Sequence, residues 1–381
     1  MAYIRHIPPA HASGRLAHVY REVRAEVPRV PNLIQVFSLR PEIMESVYRS
    51  WLSIMWSGRV PRRLKEMLAI VTSKTASCDY CADAHMVFLL ATGLERSRAF
   101  ELESKLHEAE WLDERERAAL ALAVRLSKNA RAVGPEDIAA FAAAWPQCEE
   151  RTEIVSVISA FGAITRMANA LGVSFEMPSP LRRFETARRG ALTLMARLMA
   201  VSLDLSEKPL RARAPEDNNA ALERLFTSQL GFSCVPPGFS ALETCPEIFD
   251  GQLATIEKMM CVMPRDRWMR VGLVVAKLNG CKYFVDQCGR WLSQRGADPA
   301  AVIAASEGAN SVLPELEDAC LRFTRDLTLH SHTIRDDRIR ELRSLGLSDG
   351  AILDLAYVSG VFNGLARLLT VLTPLEERVA A

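Results

Sequence analysis

The chain has 381 residues, 49% hydrophobic and 24% charged, with 47 basic against 46 acidic side chains. That length allows two domains of ordinary size, and the even charge balance offers no field suited to nucleic acid. No stretch of about 18 uninterrupted apolar residues occurs, so no membrane span or membrane partner is expected. The opening MAYIRHIPPAH lacks an apolar signal core, and nine irregularly spaced cysteines point to a reducing, cytoplasmic setting with mostly free thiols.

Helical periodicity dominates and strand signals are scarce, so the expected fold class is all-α. An early helix is predicted over 14–27. A Pro-bounded segment follows at 30–32, then helices near 33–38 and 41–57. Trp51 and Trp56 are expected in the core or at a subunit contact. His6, His11 and His18 lie in polar sequence, have no evident partner and read as ordinary surface residues.

The next stretch, EMLAIVTSKTASCDYCADAHMVFLLATG at 66–93, organises the chain. Pro61 suits a first helical position, where its missing N–H costs nothing. Leu64, Met67, Leu68 and Val71 continue as an apolar stripe to about Ala76. A second helix is predicted from about Cys78 to Leu90, with Gly93 as its stop. The very short link makes the two helices antiparallel, and a turn near Ala76 sets Glu66 opposite His85. Cys78 and Cys81 then occupy the first turn of the second helix, where orphan N–H groups and the helix dipole favour a thiolate. His85 is i+4 from Cys81 and shares its face. A nucleophilic thiol, a resolving thiol and a base oriented by a carboxylate make up the logic of covalent catalysis. Two other readings stand beside this one. Cys78, Cys81, His85 and Glu66 are four possible zinc ligands, although no second CxxC or HxxxH follows. Buried, inert cysteines are also common.

Glu66, Cys78, Cys81 and His85 at these spacings resemble the signature of the alkylhydroperoxidase AhpD family, within the carboxymuconolactone decarboxylase superfamily. VPNLIQVFSLRPEIM before the motif and ERERAALALAVRLSKN after it resemble the peroxidase-related branch, so the likeness covers roughly 15–176. Tyr80 stands where some members carry a histidine, and its hydroxyl is a candidate to substitute in a proton relay.

Beyond the motif, Asp113 is a predicted N-cap with Glu116 three residues on, as in a capping box. That helix runs to about Ser127, and another starts at Gly134-Pro135. An apolar helix spans 149–171 and stops at Gly172. Arg166 and Asn169 on it are either a satisfied buried polar pair or, for Arg166, part of the active-site lining. Pro178-Ser179-Pro180 breaks the pattern, an apolar segment spans 191–205, and SEKPLRARAPEDNN reads as a linker. The apolar segment is expected to cover the first domain or to make an inter-subunit contact.

The second half repeats the first. VPPGFSALETCPEIF at 235–249 parallels the segment at 30–44. At an offset of 203, Pro61 meets Pro264, Lys74 meets Lys277, Cys78 meets Cys281 and Tyr80 meets Tyr283. At an offset of 201, Glu116 meets Glu317, Phe161 meets Phe362 and Arg166 meets Arg367. The chemistry is gone, however: Glu66 becomes Met269, Cys81 becomes Phe284 and His85 becomes Cys288. Cys281 and Cys288 would lie about 10.5 Å apart along a helix, beyond the roughly 7 Å a disulfide allows. The expected organisation is an AhpD-like domain at 1–178, a linker with a short apolar helix at 179–219 and a degenerate AhpD-like repeat at 220–381.

The resemblance implies a thiol-dependent peroxidase or disulfide oxidoreductase without haem, flavin or metal. In it Cys81 attacks peroxide, His85 backed by Glu66 moves the proton, and Cys78 resolves the sulfenic acid to a disulfide. An external dithiol or thiol protein then reduces the pair. A thiolate pKa near ambient pH is the expected pattern. A homo-oligomer is expected, either a trimer imitating a six-unit ring or a dimer. Two other functions remain: a redox sensor or scaffold whose disulfide does not turn over, and a carboxymuconolactone decarboxylase-type reaction.

Overall fold

Helix follows helix along the whole path of the chain. The computed structural model describes residues 2–202, 218–309 and 312–380, with 202 and 377–380 described by backbone alone. No strand occurs among the described residues, so the protein is all-α. The helices are α1 (Gly14–Glu26), α2 (Asn32–Val36), α3 (Pro41–Trp56), α4 (Arg62–Thr75), α5 (Asp79–Ala91), α6 (Arg96–Lys105), α7 (Glu114–Lys128), α8 (Pro135–Ala144) and α9 (Cys148–Ala170). Then come α10 (Ser179–Arg183), α11 (Glu185–Ser202), α12 (Asn218–Glu223), α13 (Pro246–Cys261), α14 (Arg265–Asn279), α15 (Lys282–Ser293) and α16 (Pro299–Ser306). The last three are α17 (Glu315–His330), α18 (Asp336–Ser344) and α19 (Asp349–Ala380). Most of the predicted linker at 206–219 lies outside the described residues.

Local chemistry accounts for several of these boundaries. The Asp113 carboxylate accepts from the Glu116 N–H at 2.7 Å, and the Glu116 side chain accepts from the Asp113 N–H at 3.3 Å, closing the predicted capping box. Pro41, Pro135 and Pro246 each open a helix, where their missing N–H is no loss. Pro61, by contrast, is an N-cap with extended ψ and not the first helical residue. His18 has a partner after all, Glu22 one turn on at 3.4 Å.

The order of helices from α3 to α9 recurs from α13 to α19, including a 3-10 turn before α8 and another before α18. Corresponding helices meet across one seam: α3 packs on α13 and α9 runs along α19. A Cβ added at Gly360 would lie 2.7 Å from Met167 Cγ, so this close approach of α19 to α9 depends on a missing side chain. Arg40 clamps Asp354 with two parallel bonds of 2.9 and 2.7 Å, a geometry that suits guanidinium and carboxylate. One stretch, Asp349–Glu376, is long and apolar enough to cross a membrane by length and composition, yet 89% of its apolar window is buried against protein. It forms the central core helix of the seam.

Arg166 is buried at that seam and does not line the cavity described below. Its donors reach the carbonyls of Gly162 (2.9 Å), Ser127 (2.9 Å) and Thr328 (3.0 Å), so it ties α9 to α7 and α17. Asn169 does not pair with it but donates to the Ala76 carbonyl and to Ser331 Oγ. Helix α11 packs on α5, while Leu194, Leu198 and Val201 on it are exposed and 203–205 of the predicted apolar segment lie outside the described residues. Arg188 anchors it there with ion pairs to Asp83 and Glu103.

Candidate active site

The α4–α5 hairpin builds the site. Ser77 takes a left-handed φ of 53° after α4, and the chain reverses there. The Ser77 N–H donates to the Lys74 carbonyl (3.0 Å) and the Cys78 N–H to the Ser73 carbonyl (2.8 Å), the paired bonds of a Schellman stop. Cys78 is therefore the N-cap of α5 and Cys81 its third helical residue.

Glu66 and His85 meet across the hairpin. His85 Nδ1 lies 2.5 Å from Glu66 Oε2, and both side chains are buried. The other carboxylate oxygen accepts from Arg62 Nε at 2.5 Å. Burial alone would push the Glu66 carboxyl up, but Arg62 and then His85 outweigh it and hold the group below its ordinary value. Arg62 lies over the Trp56 ring at 3.5 Å and donates to the Met55 carbonyl at 3.3 Å. Arg62 was missed in the sequence, although its i, i+4 spacing from Glu66 was a usable signal. With Nδ1 held by the carboxylate, Nε2 is the histidine nitrogen left for proton transfer. Phe161 meets the imidazole edge to face at 4.5 Å and fixes its plane.

Cys78 and Cys81 are both buried, and both are free thiols. The hydrogen bond that the Cys81 thiol donates to the Cys78 sulfur comes first and burial second in pushing the Cys81 thiol above the ordinary thiol range. This corrects the expectation of a thiolate near ambient pH. The dipole of α5 is too weak to offset an apolar surround and a neighbouring thiol.

An apolar cavity opens on Cys81 and His85. Val23, Val27, Leu33, Ile34, Trp51 and Phe88 are among its walls, and Cys78 is not. Tyr80 also lines it, but its hydroxyl accepts from the Leu33 N–H (3.2 Å) and faces Glu176 (3.4 Å), so any relay through it competes with those partners. Glu176 itself, which also accepts from the Asn32 N–H, escaped the sequence reading because it lies 96 residues from Tyr80. Tyr48 is a third omission. It lines the cavity, its hydroxyl is buried without a partner, and burial raises its pKa so that it stays a donor. Among the described residues no three His, Cys, Asp or Glu side chains cluster as a metal site.

Residues 41–125 match the carboxymuconolactone decarboxylase family. An alkyl hydroperoxide reductase of Mycobacterium tuberculosis is 31% identical over 96 residues, 24% of this chain and 28% of that protein. The chain thus spans little more than a quarter of that relative's length. The AhpD-core structure of a peroxidase-related protein from Ralstonia eutropha JMP134 has a TM-score of 0.44 at 22% identity, covering 51% of this chain and 96% of that one. A peroxidase-related protein from Silicibacter sp. TM1040 gives 0.39 at 18% identity, covering 42% and 84%.

Proposed function

Because residues 41–125 match the carboxymuconolactone decarboxylase family, we propose that this chain is a thiol-dependent peroxidase. The reading rests on one observation: a buried Glu66–His85 pair at 2.5 Å whose imidazole lines the same apolar cavity as Cys81. A structural disulfide needs no base, whereas a protonated nucleophile does.

His85, with Glu66 stabilising the imidazolium, takes the Cys81 proton. The Cys81 sulfur attacks the terminal oxygen of the hydroperoxide, the O–O bond breaks, and the departing alkoxide takes the proton back from His85. Cys81 is now a sulfenic acid. Cys78 attacks its sulfur, an S–S bond forms, and the oxygen leaves as water. An external dithiol reduces the pair in two exchange steps and departs oxidised. Arg62 keeps Glu66 charged while the histidine cycles between its two forms. The apolar walls keep bulk water from the sulfenic acid.

The test is peroxide-dependent oxidation of a small dithiol by wild type, Cys81→Ser, Cys78→Ser and His85→Gln. Many turnovers in wild type and none in Cys81→Ser are expected. A single stoichiometric oxidation of folded, reduced wild type would turn the reading toward a sensor.

A further inference from the structure

Arg166 and Arg367 hold matching places on the adjoining helices α9 and α19. Both are buried, at 6% and 2% exposure. Their side chains converge on Gly162. Arg166 Nη1 donates to the Gly162 carbonyl at 2.9 Å, and a Cβ added at Gly162 would lie 3.3 Å from Arg367 Nε. A chain of hydrogen bonds also links them. Arg166 Nε donates to the Thr328 carbonyl (3.0 Å), Asn363 Nδ2 to Thr328 Oγ1 (2.9 Å) and Arg367 Nη1 to Asn363 Oδ1 (2.8 Å). No carboxylate pairs with either guanidinium among the described residues. Buried cations elsewhere are paired: Arg62 with Glu66 and Lys65 with Glu153. Burial pushes Arg166 down only to about 10, so it keeps its charge at neutral pH. Arg367 therefore lies in a dry interior beside a like charge. Arg166 at least donates to three carbonyls, one from each nitrogen. Arg367 is less well served, because its Nε–H is buried without a partner. So is the hydroxyl of Ser127, the residue whose carbonyl takes Arg166 Nη2.

We propose that a small monovalent anion of the halide class binds beside Arg367 Nε and neutralises the arginine pair where α9 meets α19. Carbonyl oxygens satisfy N–H groups but carry no net charge, and an uncompensated buried ion is strongly disfavoured. A guanidinium has no escape by losing its proton. A water would meet the orphan Nε–H and leave both charges standing. The space is close: Arg367 Cδ would lie 2.7 Å from a Cβ at Gly162, so only a residue without a side chain fits there. The orphan donors are one N–H and one O–H, which suits a compact spherical acceptor. Sulfate or phosphate would bring four oxygens and leave most of them unmet. The site stands apart from the peroxidase reading. Its duty is to hold the two halves together at a point where their own charges repel.

The experiment uses the full chain, dialysed free of chloride and titrated with sodium chloride against sodium gluconate at constant ionic strength. Expected is a saturating rise in Tm, about 3 °C at a hundred-fold excess of chloride over its Kd. Arg367→Met, which removes both the charge and the Nε–H, should show no chloride-dependent rise. Crystals of wild type grown in sodium bromide decide the question even if that variant does not fold. An anomalous peak within hydrogen-bond reach of Arg367 Nε is expected there. A Tm independent of chloride, with a water and no anomalous peak beside Arg367, would overturn the site. A chloride-dependent rise that Arg367→Met keeps in full would put the ion elsewhere and overturn it as well.

Discussion

The two hairpins α4–α5 and α14–α15 hold like places in the order of helices but carry different side chains. In the first, a carboxylate, an imidazole and an arginine meet in a dry interior. In the second, Met269, Phe284 and Cys288 occupy the corresponding positions, all buried. The aromatic frame persists: Phe161 stands edge-on to His85 at 4.5 Å, and Phe362 stands edge-on to Phe284 at 5.4 Å. Arg265, the counterpart of Arg62, reaches out to the Gln229 carbonyl because no carboxylate waits beside it. Filling a polar site with packed carbon avoids a desolvation penalty of several kcal/mol per ion. The first hairpin retains that cost, as the proposed peroxidase site requires. The turns differ in the same sense. Gly280 takes φ 75° at no steric expense, whereas Ser77 holds φ 53° against the usual preference.

The largest expected contrast is chemical. Cys81→Ser abolishes dithiol-dependent peroxide turnover and His85→Gln lowers it about 10²- to 10⁴-fold, while Cys288→Ser leaves the rate within two-fold. Equal losses in the two halves would break the comparison.

Next come the buried centres, Glu66 and Met269. Glu66→Gln lowers turnover about 100-fold and destabilises the fold by about 3–5 kcal/mol, since Arg62 is left buried and uncompensated. Met269→Ala costs about 2–5 kcal/mol as a cavity and leaves turnover untouched. Urea melts paired with rate assays separate the two. The sign with pH is fixed as well. The folded Glu66 carboxyl lies below its ordinary 4.5, so its contribution is present above that value and is lost as pH falls through the folded one. Glu66→Gln should flatten this acid limb.

The thiols give a smaller, graded effect. Cys81 in the reduced protein sits well above the ordinary thiol range, so its alkylation by iodoacetamide should climb about ten-fold per pH unit through pH 9. A plateau below pH 8 would show a thiolate already formed and remove the need for a base. Cys281, pushed up to about 11 by burial, should climb with the same slope in the same assay.

The smallest effect is in the turns. Ser77→Gly relieves a left-handed residue and should stabilise by about 1 kcal/mol. Gly280→Ser should do the reverse and more, because a Cβ there would lie 2.7 Å from Arg131 Cγ. Chemical denaturation of both variants, read by circular dichroism, sharpens the contrast between a strained and a relaxed hairpin.

Much of this protein was legible in residue order, because the interactions concerned are local. Helix periodicity, the Asp113–Glu116 box and the short link at Ala76 act within a few residues of chain, and the link alone sets Glu66 against His85. What needed the tertiary structure was every partner far along the chain, namely Glu176 at Tyr80 and Thr328 at Arg166. The Cys81 ionisation lay beyond sequence for a related reason. A helix terminus can be read from spacing, but the dielectric around it is set by which apolar side chains, distant in sequence, close over it.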